Sequence, residues 1–293
     1  MNIRNFKFSL FLLLSTFNLA FAQQYNEVTL AYLENGLNEL SNNKKHMALQ
    51  FLSEELVKGS DIRISILPVS TFPEIQSLII AGKIDFVIFN SFYYIRHHDF
   101  LAQFIKDPIW VVQRGDQDKE NYILLTNKQY ADQNIIRLQG QRISFYPHYL
   151  LMKLYLEHLT KQSNSQDVAS FFKKIKHTKT ASQAVLDVFF GISDVCIVPK
   201  HIFDLTADLN PAIKQKLSIF HQSGEKFLPV LIFDFNHTNP VHNHIHKNLS
   251  KIGDTVRGKQ LLDMLNIEAI KVTNQEQLKP MQKLFQSHQV LLK

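Results

Sequence analysis

Cysteine is nearly absent: Cys196 is the only one in 293 residues, so no disulfide can form within the chain and the fold must be held by its core. Its place inside the apolar run from Val195 to Val198 makes it a buried, inert thiol. Glycine is scarce as well, at nine residues, which leaves the backbone few places to approach a phosphate closely. The Gly-x-Ser-x-Gly elbow, the Walker loop, Gly-x-Gly-x-x-Gly and His-Glu-x-x-His are all missing. No enzyme and no cofactor are therefore expected. Beyond the N-terminus no apolar run reaches the roughly 20 residues needed to span a bilayer. The 32 lysines and arginines, set against 26 acidic residues, form no cluster resembling a nucleic-acid footprint, so no nucleic-acid partner is expected.

What the N-terminus does carry is an address. Arg4 and Lys7 precede an apolar stretch from Phe8 to Leu19, and Ala20, Phe21 and Ala22 stand before Gln23. These are the parts of a cleavable secretory signal over residues 1–22, the alternative being an uncleaved anchor helix. No cysteine stands at the cleavage site, so a free periplasmic protein is expected rather than a lipid-anchored one. Removing 22 of 293 residues leaves about two domains' worth of chain. With 45% hydrophobic residues and 23 phenylalanines, it can bury a large core. The formal charge of +6 falls by two when Arg4 and Lys7 leave. That mild cationic bias suits an anionic ligand or an anionic membrane surface.

The chain also contains an internal repeat. From Thr71 to Phe89, apolar residues at helical spacing (Phe72, Ile75, Leu78, Ile79) lead to Gly82, and Asp85 then opens a short buried run. The same order returns 109 residues later, with Ala181, Ala184, Val185 and Val188 before Gly191, and Asp194 before the run to Val198. The spacing predicts a helix followed by a strand. Glycine supplies the left-handed residue that ends the helix, and Thr71 with Glu74 matches a capping box at its start. Two such units predict two similar α/β lobes that hold something between them.

The rest of the chain fits that plan. Strands are expected over Val28–Leu33, Ile62–Pro68, Pro108–Val112, Tyr122–Thr126, Gly140–Phe145 and Leu228–Phe235. Helices are expected over Leu37–Val57, Tyr149–Leu159, Asp167–Lys174, Pro240–Ile252, Thr255–Leu265 behind an Asp254 cap, and Gln275–Phe285. Gly115–Asn121 reads as a segment crossing between lobes. The first lobe would hold residues 23–115 with 225–293, and the second 116–224. A β-α-β-α-β order requires parallel strands with right-handed crossovers.

Four segments carry a resemblance. Ala81–Tyr94 is similar to a "Gly-Lys-x-Asp... Gly-Pro-x-x-Tyr" segment, Leu138–Phe145 to "Leu-x-Gly-Lys-Arg-Val-Ala-Phe", Gly191–Val195 to "Gly-x-x-Asp-x", and Arg257–Ile267 to "Gly-x-x-Leu-Leu-x-x-Leu-Gly-Ile". In this order they resemble the phosphate/phosphite/phosphonate-binding family of periplasmic type II solute-binding proteins. The resemblance covers nearly the whole chain after the leader. It implies an α/β, two-lobed periplasmic-binding-protein type II fold, each lobe a mostly parallel sheet flanked by helices. It implies a monomer that captures a small, anionic or phosphonate-like ligand by hinge closure and delivers it to an ABC permease. A stand-alone ligand sensor facing a membrane signalling partner is the alternative. The family's Ser/Thr-rich, Gly-containing turn, whose N–H groups and hydroxyls cradle an oxyanion, is replaced here by Tyr146, Pro147, His148 and Tyr149. Its "Ser-His-Asp" falls on Ala181, Ser182 and Gln183, and its acidic ligand residue falls near Pro199 and Lys200. Tyr94 is retained.

The candidate ligand-binding residues lie at or just past the carboxyl ends of the expected parallel strands, where open α/β sheets bind ligands. They are Tyr32, Asn90, Ser91 and Tyr94 on one side, and Tyr146, His148, Tyr149 and Ser182 on the other. Each tyrosine can equally be a half-buried packing residue. A cleft edged by tyrosines and a histidine suits a ring-bearing or weakly anionic ligand better than bare phosphate. His237, His242, His244 and His246 form the densest histidine group, and His242 and His246 have the spacing of two zinc ligands on a helix. An exposed polar helix face explains them equally well, and no metal site is assigned.

Overall fold

Each half of the molecule is organised by the repeated Gly-then-Asp unit. The computed structural model describes residues 26–34, 41–113, 119–127, 134–164, 167–224, 227–236, 238–265 and 267–291. The leader expected over 1–22, the first residues of the helix expected from Leu37, residues 115–118 of the crossing and His237 lie outside the described residues. The chain begins β1 (Asn26–Leu33), α1 (Asn42–Leu56), β2 (Ile62–Val69), α2 (Phe72–Ile80), β3 (Phe86–Asn90), α3 (Ser91–Arg96), α4 (His98–Leu101) and β4 (Ile109–Gln113). It continues with β5 (Tyr122–Asn127), β6 (Arg142–Phe145), α5 (Leu150–Asn164), α6 (Val168–Phe171), β7 (Lys174–His177), α7 (Ala181–Phe189), β8 (Val195–Pro199), α8 (Lys200–Leu209), α9 (Ala212–Lys216) and β9 (Leu217–Gln222). It closes with β10 (Val230–Asp234), α10 (Pro240–Leu249), α11 (Val256–Met264), β11 (Ala269–Thr273) and α12 (Lys279–Leu291).

Two sheets result, ordered β11-β4-β10-β3-β1-β2 and β7-β6-β8-β5-β9. Read from β2 and from β7 the two orders match: second, first and third strand of a β-α-β-α-β unit, then a reversed strand, then a fourth. The first three strands are parallel in both sheets. The reversed strand is β10 in the first sheet and β5 in the second. Each is the strand that arrives from the other sheet. The expected mostly parallel sheets are thus mixed, because each crossing inserts one antiparallel strand; β11 adds another at the edge of the first sheet. β3 and β8 are buried at every residue, as unbroken apolar central strands must be.

The repeat is a structural device in both copies. Gly82 has φ 60° and Gly191 φ 73°, and each closes its helix in a Schellman motif. Lys83 N–H bonds the Leu78 carbonyl at 2.9 Å and Ile192 N–H the Asp187 carbonyl at 2.8 Å. The aspartate three residues beyond the glycine then reaches back to the central strand. Asp85 Oδ2 accepts from Thr29 N–H at 2.8 Å, and Asp194 Oδ2 from Arg142 N–H at 2.9 Å. In the return direction, Asp85 N–H donates to the Thr29 carbonyl and Asp194 N–H to that of Arg142, both at 2.9 Å. These contacts set the register that places Leu30 opposite Phe86 and Ile143 opposite Val195.

Several expected elements change. The helix expected over Asp167–Lys174 is a single turn, α6, after which Lys174–His177 pairs with β6 as an edge strand. Its alternating Lys-Ile-Lys-His pattern suits that role. The strands β9 and β11 and the helices α8 and α9 were not expected. α10 stops at Leu249, Ile252–Asp254 forms a 3-10 turn, and Thr255 rather than Asp254 caps α11, its hydroxyl accepting from Gly258 N–H at 2.9 Å. Gln275–Leu278 is likewise a 3-10 turn, and α12 runs on to Leu291.

The sheets are joined where Glu120 and Phe227 exchange backbone hydrogen bonds of 2.6 and 2.8 Å. Tyr122 stacks on Phe227 with ring centres 5.1 Å apart. Ser223 Oγ accepts from Tyr122 N–H at 3.1 Å, and its carbonyl accepts from the Asn121 amide at 3.1 Å. α12 packs on both α3 and α5, and so touches both halves.

His242 and His246 share one face of α10, and both meet Asp234. His242 Nδ1 lies 2.9 Å from Asp234 Oδ1 and His246 Nε2 lies 2.7 Å from Oδ2, while His242 Nε2 faces Asp85 Oδ1 at 3.4 Å. Among the described residues no group of three or more His, Cys, Asp and Glu side chains is arranged to hold a metal ion. Burial alone would raise the Asp234 carboxyl, but hydrogen bonds from His242, His246 and Asn236 N–H outweigh it and hold it below its usual range. Burial alone would lower His242, but its bonds to Asp234 and Asp85 push it up to about 9. A raised histidine contributes stability that is complete below its unfolded value of 6.5 and lost as pH rises through about 9. The depressed Asp234 contributes above its unfolded value of 3.8 and loses its contribution as pH falls below that.

Thermal midpoints followed across pH should therefore decline on the alkaline side from about 6.5 to 9, and His242→Gln should flatten that decline. At pH 6 the same substitution should cost about 3 kcal/mol in urea unfolding, because it removes the positive charge that faces both Asp234 and Asp85. Gly82→Ala and Gly191→Ala should each cost about 1–2 kcal/mol. Since a Cβ at either position meets nothing within 4 Å, that cost is conformational alone.

Candidate ligand-binding site

α3 follows β3 directly and α5 follows β6 after a short turn, and the two helices touch. The helices that leave the carboxyl ends of β3 and β6 therefore meet. Tyr32, near the end of β1, is buried, its ring 6.4 Å from that of His46. Burial, and then the charge of Glu34, raises its hydroxyl pKa. Asn90 caps α3, its side-chain oxygen accepting from Tyr93 N–H at 3.4 Å. Ser91 opens that helix fully buried, and its hydroxyl has no hydrogen-bond partner among the described residues. Tyr94 stacks on Phe233 at 5.4 Å and donates its hydroxyl to Gln275 Oε1 at 3.1 Å. Burial and the charge of Asp107, against a hydrogen bond with Gln282, push that hydroxyl up to about 12.

On the second sheet, Tyr146 and Tyr149 are largely buried and His148 is exposed. The Tyr146 ring lies 5.1 Å from His148 and 5.7 Å, edge to face, from Tyr149. These three rings frame the start of α5. Ser182 is partly exposed on the first turn of α7. The structure thus gathers Tyr146, His148 and Tyr149 into one aromatic group. Tyr94, in contrast, turns toward the C-terminal segment.

The capping box expected from Thr71 and Glu74 is present at the start of α2, whereas the roles of Glu34, Lys45, Thr180 and Gln183 were not read from the sequence. At α2, Ser70 and Thr71 N–H both donate to Glu74 Oε2 at 3.1 Å. Beside them Glu34 accepts from Ser70 Oγ at 2.7 Å and from the Asn42 amide at 3.1 Å. Lys45 is buried on the first turn of α1 and bonds the Glu34 carbonyl. Burial lowers its pKa against the opposing pull of Glu34. At α7, Thr180 Oγ1 accepts from Gln183 N–H at 3.2 Å while Gln183 Oε1 accepts from Lys179 N–H at 3.0 Å. Helix starts can bind anions because their N–H groups lack intrahelical partners. Here α2, α3 and α7 spend several of those donors on the chain's own side chains. Lys44 and Lys45 in the first turn of α1, where the helix dipole disfavours cations, were the available signal that polar chemistry concentrates there.

A family model described as "ABC transporter, phosphonate, periplasmic substrate-binding protein" matches residues 41–278. The chain belongs to this family. Solved structures agree in fold at low identity. PhnD1 from Prochlorococcus marinus in complex with methylphosphonate is 15% identical, with a TM-score of 0.61, covering 89% of this chain and 97% of that one. A binding protein component of the ABC phosphonate transporter of Pseudomonas aeruginosa is 13% identical, with a TM-score of 0.60 and coverage of 92% and 88%. A Xanthomonas citri protein bound to ATP is 11% identical, with a TM-score of 0.63 and coverage of 90% and 98%. No curated protein matches the sequence. The type II periplasmic-binding fold and the solute-binding role expected from the resemblance both stand.

Glu74→Ala should release the Ser70 and Thr71 donors. The cost should be about 1 kcal/mol, read as a lower urea midpoint at unchanged slope.

Proposed function

We propose that this phosphonate-binding family member captures a small, ring-bearing solute with at most a weakly anionic group. The solute would sit between the carboxyl ends of β1 and β3 and those of β6 and β8. Residues 23–115 with 225–293 would form one lobe and 116–224 the other, closing about the Glu120–Phe227 crossing. The aromatic frame of Tyr146, His148 and Tyr149 would stack on the ring. Tyr32, Asn90, Ser91 and Tyr94, all buried, would support the opposite wall from beneath, with Ser182 at the rim. Residues 1–22 would direct export to the periplasm, and an ABC permease would receive the solute. No catalytic step is assigned.

One observation carries this reading: the starts of α2, α3 and α7 are occupied by Glu74, Asn90, Thr180 and Gln183 of the chain itself. A fully ionised phosphonate needs several free donors converging on it. A ring needs apolar faces, which the α5 turn supplies.

A thermal-shift panel tests the proposal, using phosphate, methylphosphonate, sulfate, aromatic amino acids and nucleosides on the exported protein. A solute at a thousand times its Kd should add about 4 kcal/mol, a shift of several degrees. The expected result is a shift with a ring-bearing compound and none with the bare oxyanions. A clear shift with methylphosphonate, and none with any ring-bearing compound, would overturn the proposal.

A further inference from the structure

The two copies of the Gly-then-Asp unit serve as controls for each other, and they differ at one corner. In the first sheet the residues flanking the helix-ending glycine are Ala81 and Lys83; in the second they are Phe190 and Ile192. The Schellman bonds are the same in both, so the turn requires no large apolar side chain. Yet Phe190 is 67% exposed and Ile192 49%. The apolar surface extends beyond them. α8 runs from the carboxyl end of β8 to the same edge of the sheet and ends in Leu209, 83% exposed, with Leu205 one turn before it. Lys216, at the end of α9, ties the two parts together by bonding the Phe189 carbonyl and lying 5.0 Å from the Phe189 ring centre. Phe189 in turn packs against Phe190 at 5.0 Å.

Cations ring this corner. Arg142 pairs with Asp194 at 2.7 Å and also reaches the Gly191 carbonyl at 3.1 Å, while Lys214 pairs with Asp208 at 2.8 Å. Lys173 adds its charge beside Asp194. Arg142, Lys173, Lys214 and Lys216 thus outnumber Asp194, Asp204 and Asp208 by one. The corner stands at the amino-terminal edge of β6 and β8, the end of the sheet away from the solute-binding edge. It is therefore distinct from the face that opens and closes around a solute.

We propose that the corner formed by Phe190, Ile192, Leu205 and Leu209 seats on an anionic phospholipid surface, the rings and aliphatic chains entering the headgroup boundary while the surrounding lysines and Arg142 meet lipid phosphates. Exposed apolar tips flanked by basic side chains are what an interfacial contact with anionic lipid requires. Two or three such side chains support reversible attachment, so the protein would exchange between the membrane surface and the surrounding space. After Arg4 and Lys7 leave, the excess of lysine and arginine over acidic residues falls from 32 against 26 by two, and what remains favours the same surface.

Vesicle co-flotation of the exported protein tests this. On phosphatidylcholine vesicles carrying about 30% phosphatidylglycerol, retention should exceed that on pure phosphatidylcholine by about tenfold or more. It should fall in about 0.5 M salt. Phe190→Ser with Ile192→Ser should cut retention about tenfold without moving the thermal midpoint. Lys83→Ser, at the equivalent corner of the first sheet, should leave retention unchanged. Equal retention on both vesicle types, or retention untouched by the double substitution, would overturn the proposal. So would a dimer that the double substitution dissolves, with no vesicle binding, since the corner would then be a contact between copies of this chain.

Discussion

The hydrogen-bonded clamp between a strand-opening aspartate and the central strand beside it holds each half of this molecule in register. Asp85 grips Thr29 through both its carboxylate and its own N–H, and Asp194 grips Arg142 in the same way. Register matters most for buried strands, because a slip by one residue turns every side chain to the opposite face. With β1 and β3, and β6 and β8, fixed in this way, the residues at their carboxyl ends are fixed as well. Those ends are where the solute site is proposed. The halves then differ in how they balance the aspartate's charge. Arg142 adds two side-chain hydrogen bonds to Asp194, whereas Asp85 faces the imidazole of His242. One half is therefore anchored by a permanent cation and the other by a titratable one.

Much of this architecture was legible because it is encoded locally. The glycine that must take positive φ, the aspartate three residues later and the helix-spaced apolar residues before them lie within one short window. That window recurs. The strand-edge positions of Asn90, Ser91 and Tyr146 followed from the same reading. What escaped was non-local. β7 and β11 are short, polar edge strands whose pairing is supplied by β6 and β4 and not by their own pattern. The pairing of Glu34 with Ser70 spans 36 residues, and no spacing rule connects them. His242 and His246 were visible as a pair, but the carboxylate they share sits on β10, and that contact turns an apparent metal-ligand spacing into a buried ion cluster.

The chain keeps the family's fold, and the proposed solute site would differ in chemistry. Donors at helix starts are satisfied internally by Glu74, Asn90, Thr180 and Gln183, and three aromatic rings surround the start of α5 where the family carries hydroxyls. Burial raises the hydroxyl pKa of both Tyr32 and Tyr94, so these buried tyrosines bring no negative charge near the proposed site. On the proposed reading, the same fold would hold a ring. Family membership and the change of ligand chemistry are thus compatible: the first rests on the scaffold and the second on side chains at its edge.

Hydrogen exchange with and without the most stabilising compound from the thermal-shift panel tests the account most directly. Peptides covering Tyr32, Asn90–Tyr94 and Tyr146–Leu151 should gain protection together, because a solute held between the two sheets must order both edges at once. The corners at Gly82 and Gly191 should not change. Protection confined to one sheet, or centred on those corners, would contradict a site shared between the halves.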